Sequence, residues 1–196
     1  MNGHHENLIH SWVISICGFT QSEQRTSGLE RLWLRLRSVA SSRTCVAAPL
    51  EWKHNWRTFA ERVWRTSVVR PRITIVAYSW GCGHGFVKLA RELQKRGLSV
   101  SDAVLCDPVY HSWLRPWRAL FFSPAITIPA NVQRVHWYRQ NQNRPRGTDL
   151  VAEDNRKTEI EPVHWINATH QYADDHDKFH RTAMDIVSRA ASEVRG

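Results

Sequence analysis

One serine in this chain of 196 residues stands where it could act as a nucleophile. Ser79 follows the β-branched run Ile73-Thr74-Ile75-Val76-Ala77 and precedes a segment of helical period carrying Phe86, Leu89, Ala90 and Leu93. Small residues, Ala77 and Gly81, lie two positions to either side. A serine on a sharp strand-to-helix turn presents its Oγ at the sheet edge, and larger flanking side chains would collide with the strand and helix that meet there. The helix N-terminus that follows offers free N–H groups and a dipole that favour developing negative charge. A bare Ser-x-Gly is common, so the weight rests on this strand and helix context.

A serine hydroxyl is a poor nucleophile at neutral pH, so it needs a histidine to accept its proton and a carboxylate to hold that histidine in the right tautomer. His170 follows an apolar run at 163–166, and Asp107 follows the run Val100–Cys106, which places both at the same sheet edge as Ser79. Asp149, in a long loop, is the second candidate for the acid, and Asp107 could instead be a turn residue before Pro108. His176 is a reserve candidate for the base. His170, His176 and His180, with Asp174, Asp175 and Asp177, also make a dense group of metal-ligand types. Solvent-facing histidines and an acidic helix N-terminus explain that group without a metal, and no metal site is expected.

Positioning these residues requires alternating strands and helices. Short apolar runs at 12–17, 44–48, 72–77, 100–106, 132–138 and 163–166 alternate with segments of helical period, the pattern of a mainly parallel sheet covered on both faces. The expected fold class is α/β, a three-layer α/β/α sandwich in one domain spanning residues 1–196. Ser27 and Glu30 form a capping box for a helix lined by Leu29, Leu32, Trp33, Leu36 and Val39. Asn55 caps a helix lined by Trp56, Phe59, Ala60 and Val63, and Gly97 is placed to end the helix after Ser79. A last helix carries Phe179, Ala183, Ile186, Val187, Ala190 and Val194 on one face. Residues 139–161 read as a surface excursion.

Composition narrows the class. With 42% hydrophobic and 23% charged residues the chain is an ordinary globular sequence. It has no uncharged apolar stretch of about 18 residues and no apolar signal core, so a soluble, cytoplasmic protein without a membrane span is expected. The net charge of +9 arises in the N-terminal half, where residues 1–98 hold 15 Lys/Arg against 6 Asp/Glu, while 99–196 hold 12 of each. The basic residues fall singly on polar faces, with no block of like charge, so nucleic acid is not the expected partner. Cys17, Cys45, Cys82 and Cys106 form no CxxC pair and read as buried free thiols.

Gly18-Phe19-Thr20, Tyr78-Ser79-Trp80-Gly81, Cys106-Asp107-Pro108-Val109 and Thr169-His170, in order and spacing across about residues 10–190, resemble the α/β-hydrolase superfamily, particularly its small bacterial and phage thioesterase- or lipase-like members. The resemblance implies a minimal α/β-hydrolase fold, a Ser79–Asp107–His170 triad, and an oxyanion hole formed by the backbone N–H groups of Trp80 and Phe19. It implies a serine hydrolase of esters or thioesters needing no cofactor. Two departures stand out: many members carry the acid after the next strand, where only Asp149 is available, and Cys17 stands where histidine often precedes the oxyanion position. The aromatic segment at 108–130 could form a small cap, with Tyr78, Tyr110 and Trp113 lining a pocket, or could cover the sheet edge or a dimer interface. An acyltransferase using the same serine, and a silent scaffold binding nucleic acid or another acidic partner through the basic half, are the alternative functions.

Overall fold

The computed structural model describes residues 8–19, 27–110 and 125–193. Strand β1 (Ile9–Ile16) leads to helix α1 (Gly28–Val39), β2 (Thr44–Val46), α2 (Trp56–Thr66) and β3 (Ser67–Tyr78). A π-helical segment, Gly81–Phe86, then runs into α3 (Val87–Gln94), followed by β4 (Val100–Cys106), β5 (Ile126–Ile128) and β6 (Val132–Arg139). Three short strands, β7 (Leu150–Ala152), β8 (Glu159–Ile160) and β9 (His164–Trp165), precede a 3-10 segment, His170–Asp175, and helix α4 (Asp177–Glu193).

The described sheet runs β2-β1-β3-β4-β6-β8, with β9 also on β6, and every pairing in it is parallel. The protein is therefore α/β with a mostly parallel central sheet. Parallel strands in a covered sheet are buried on both faces, as β3 is from Ile73 to Tyr78. Alternation then divides the core. Trp12, Ile14, Ile73, Ile75, Ala103 and Leu105 pack with the apolar faces of α2 and α3, whereas Val13, Val76, Val104 and Cys106 pack with Leu29, Leu32 and Leu36 of α1 and Phe179, Ala183, Ile186 and Val187 of α4. Full burial of one such aliphatic or aromatic side chain contributes roughly 1.5–3 kcal/mol.

Local signals act as read. Ser27 accepts from Glu30 N–H at 3.2 Å while Glu30 accepts from Ser27 N–H at 2.8 Å, and Asn55 accepts from Thr58 N–H at 3.1 Å. Gly97 lies in the left-handed region at φ 71°, where glycine carries no Cβ penalty.

The structure differs from the sequence reading at several points. β3 starts at Ser67, directly after α2, because Ser67 pairs with Ile9 before a register shift sets Ser11 opposite Arg72. The excursion at 139–161 holds two strands: β7 pairs with β5, and β8 pairs with β6. Runs this short carry too little periodicity to be recognised. The strand expected at 163–166 is reduced to His164–Trp165. His180 faces the interior, not solvent, being 1% exposed, with Nε2 2.8 Å from the Asp174 carbonyl. Asp174 and Asp175 sit in the 3-10 segment ahead of α4 and serve α1 instead: Asp174 accepts from Leu29 N–H at 3.2 Å, and Asp175 pairs with Arg31 at 2.7 Å. Trp113, Val194 and most of the aromatic segment lie outside the described residues. Among the described residues no helix is long and apolar enough to cross a membrane.

Candidate active site

Ser79 sits at the carboxyl end of β3 with φ 53°, in the left-handed region that costs a non-glycine residue about 1–3 kcal/mol and persists only where the surroundings hold it. Its own backbone supplies much of that hold. Ser79 N–H donates to the Cys106 carbonyl at 2.9 Å, and its carbonyl accepts from Cys82 and Val109 N–H, each at 3.0 Å. The helix that begins at the next residue passes close to β1. A Cβ on Gly81 would lie 2.6 Å from the carbonyl oxygens of both Ile16 and Cys17, so this turn needs glycine there. The following six residues are wound as a π-helix, an uncommon form often found at functional sites.

The serine hydroxyl meets the histidine from the far end of the chain. Ser79 Oγ is 2.9 Å from His170 Nε2, and His170 Nδ1 is 2.5 Å from Asp107 Oδ2. All three side chains are buried. Asp107 occupies the turn after β4, also at positive φ, 42°. Its carboxylate accepts from Gly147 N–H at 3.0 Å and from Gln140 Nε2 at 3.0 Å, with Gln140 N–H at 3.4 Å. These are all donors, so the site is built for an ionised carboxylate that leaves His170 Nδ1 as the donor and Nε2 as the acceptor toward Ser79.

Both backbone groups of His170 are also held. Its N–H donates to Asn143 Oδ1 at 2.7 Å, and its carbonyl accepts the Tyr78 hydroxyl. Burial, with the nearby charge of Asp174 and Asp107, pushes the Tyr78 phenol far above its ordinary value, so it remains a neutral donor. The structure thus uses Tyr78, one of the expected pocket residues, to position the histidine. Gln140, Asn143 and Gly147 were missed in the sequence because hydrogen bonding to a residue 27 to 40 positions away has no periodic signature. The turn-rich stretch 140–147 was the available signal.

The remaining candidates fall elsewhere. Asp149 is paired with Arg139 at 2.5 Å and is 68% exposed at its side chain. His176 Nδ1 accepts from Lys178 N–H, and among the described residues no group of three or more His, Cys, Asp or Glu side chains is arranged to hold a metal ion. Phe19 directly follows Gly18, where a Cβ would lie 3.1 Å from Ser79 Cβ; this brings the turn after β1 against the serine. Trp80 begins the helix beside it. Tyr110 lies with its ring 4.9 Å from that of His84.

Cys82 and Cys106 are buried free thiols, whereas Cys17 and Cys45 are half-buried. Burial, joined by the charges of Glu30, Asp174 and Glu51, pushes the Cys17 thiol up to about 12, and burial raises Cys82 and Cys106 well above the ordinary range. A cavity of 540 Å³ lies at the opposite, amino-terminal edge of the sheet. Four of its charged side chains form two pairs, Arg72 with Asp102 at 3.2 Å and Arg134 with Glu159 at 3.1 Å, and it contains none of the residues around Ser79.

No protein-family model matches the chain and no curated protein matches it in sequence, so the site stands on its own residues and distances.

Proposed function

We propose that this protein is a serine hydrolase of the α/β-hydrolase type, a single domain with a three-layer α/β/α sandwich, which cleaves an ester or thioester through an acyl-enzyme on Ser79. The observation that carries this reading is the buried hydrogen-bonded chain from Ser79 Oγ through His170 to Asp107, with spacings of 2.9 and 2.5 Å, joined to a serine held at positive φ on a strand-to-helix turn. A structural serine has no need of either feature.

In this mechanism Ser79 Oγ attacks the substrate carbonyl carbon as its proton passes to His170 Nε2. The oxyanion is held by the N–H groups of Trp80 and Phe19, at the start of the helix and in the turn after β1. The tetrahedral intermediate collapses, the bond to the leaving oxygen or sulfur breaks, and His170 returns the proton to that atom. Water then loses a proton to Nε2 and attacks the acyl carbonyl. A carboxylic acid leaves and Ser79 regains its proton. Asp107 stays ionised throughout and stabilises the imidazolium formed in each half-reaction.

The test is labelling of the folded protein by a fluorophosphonate probe, beside Ser79→Ala and a heat-denatured control. Rapid labelling that vanishes in both controls is expected. A folded wild type that resists the probe would overturn the hydrolase reading and favour a silent binding scaffold.

A further inference from the structure

The chain builds a cluster of rings on one side of the serine that the hydrolysis reaction itself does not use. Phe19, Trp52, Trp80, His84 and Tyr110 come from the turn after β1, the segment after β2, the serine turn and the turn after β4. Their centroids form a connected set: Phe19 to Trp52 at 6.1 Å, Phe19 to Trp80 at 6.3 Å, Trp52 to Trp80 at 6.1 Å, Trp80 to His84 at 4.4 Å and His84 to Tyr110 at 4.9 Å. These separations lie in the range where offset and edge-to-face aromatic pairs attract. Trp80 adjoins Ser79 in the chain, and Gly18, beside Phe19, closes on Ser79 Cβ. The cluster is therefore continuous with the nucleophile.

Two further facts give it a direction. Phe19 is 59% exposed although it belongs to a packed set of rings, so the wall keeps an open aromatic face at its rim. His170 is held by the 140–147 loop and the Tyr78 hydroxyl, whereas the rings belong to the segment around Gly18, the segment after β2, the turn after β4 and the helix after Ser79. Because His170 must hand its proton to the departing oxygen or sulfur, the leaving group lies toward the histidine.

We propose that the acyl part of the substrate carries an aromatic ring, which packs against the Phe19–Trp52–Trp80 wall. An aliphatic acyl chain gains area burial there, but a ring also gains the directional aromatic contribution, which corresponds to roughly a 3–10-fold preference at equal carbon count. This inference rests on Ser79 being the nucleophile.

Ethyl thioesters of 3-phenylpropanoic, nonanoic and acetic acid share one leaving group, and the first two acids have the same number of carbons. Ethanethiol release is followed for each with the full-length protein, and kcat/KM values are compared. The expected result is a preference for the phenylpropanoyl thioester of about 3–10-fold over nonanoyl, a ratio that falls toward one in Trp52→Ala and is largely kept in Trp52→Phe. Inhibition by 2-phenylethylboronic acid against octylboronic acid supplies a second readout that needs no turnover. Efficient cleavage of all three thioesters with nonanoyl equal or preferred would overturn the aromatic-acyl assignment and leave the serine reading intact. Absence of cleavage together with absence of fluorophosphonate labelling would instead remove the serine reading on which it rests. Should Trp52→Ala fail to fold, the wild-type selectivity and the boronate pair decide alone.

Discussion

Replacing Asp107 by asparagine changes one atom and should separate orientation of His170 from packing. The carboxylate faces donors on both sides: His170 Nδ1 and Gln140 Nε2 at Oδ2, and Gly147 N–H, with a longer contact to Gln140 N–H, at Oδ1. An amide supplies one acceptor oxygen and one NH₂. If its oxygen faces His170, the NH₂ is driven against the Gly147 amide, a donor-to-donor contact in a fully buried site. If its NH₂ faces His170, Nδ1 must become the acceptor, which puts the proton on Nε2 and removes the base next to Ser79. The first arrangement leaves a buried donor unsatisfied, at about 1–3 kcal/mol of stability. The second removes transition-state stabilisation; a wrong-tautomer triad loses about 10⁴-fold in kcat, roughly 5.4 kcal/mol. Because the His170 backbone is held independently by Asn143 and Tyr78, the ring should stay near Ser79 in the variant. The assay is kcat/KM for a thioester, the rate of fluorophosphonate labelling, and urea unfolding. A folded Asp107→Asn with activity within tenfold of wild type, or an Asp149→Ala variant that loses as much, would refute the assignment of the acid.

Three other perturbations have defined outcomes. Gly81→Ala drives a methyl into the Ile16 and Cys17 carbonyls at 2.6 Å; overpacking of that kind costs about 1–3 kcal/mol, and displacement of the serine turn should slow fluorophosphonate labelling well beyond what the change in urea midpoint explains. His136 is buried on β6, with Nδ1 2.8 Å from Glu161 and Nε2 3.6 Å from Asp102, the latter a charge contact longer than a hydrogen bond. Burial, the largest influence, pushes its pKa down, and the two carboxylates more than offset this, so it ends above the ordinary value. A raised value in the folded state means stability present in full below the unfolded pKa of about 6.5 and lost as pH rises through the folded one. The stability gap between wild type and His136→Leu, from urea unfolding, should therefore be largest near pH 6 and shrink toward pH 9; a gap that widens with pH would contradict this. Finally, the raised thiols of Cys17, Cys82 and Cys106 predict that N-ethylmaleimide at pH 7.5 modifies these residues far more slowly in the native protein than in urea, read by mass spectrometry, and leaves serine labelling unchanged.

Local pattern determined the elements that local forces stabilise. The β-branched run before Ser79, the helical spacing after it, the Ser27–Glu30 box and the Asn55 cap each involve residues within a few positions of one another, and from them follow alternating strands and helices, a parallel sheet, and a serine at its carboxyl edge. The short strands β5, β7 and β8 escaped detection because they are stabilised by their neighbours: β8 exists only as an addition to β6, and β5 and β7 only against each other. Tertiary structure alone decided which carboxylate meets the histidine. Asp107 and Asp149 are equally plausible by residue type, but the parallel order β3-β4-β6 sets the turn after β4 beside Ser79 and lets the loop after β6 wrap Asp107 with Gln140 and Gly147, while Arg139 holds Asp149 at the surface. The same distance in sequence hid the interior position of His180, the docking of Asp174 and Asp175 on α1, and the gathering of Phe19, Trp52 and Trp80 around the serine. A parallel sheet joins segments through crossovers of a dozen residues or more, so every contact that distinguishes one acid, one histidine or one wall of rings from another is made between residues that no short window of sequence contains.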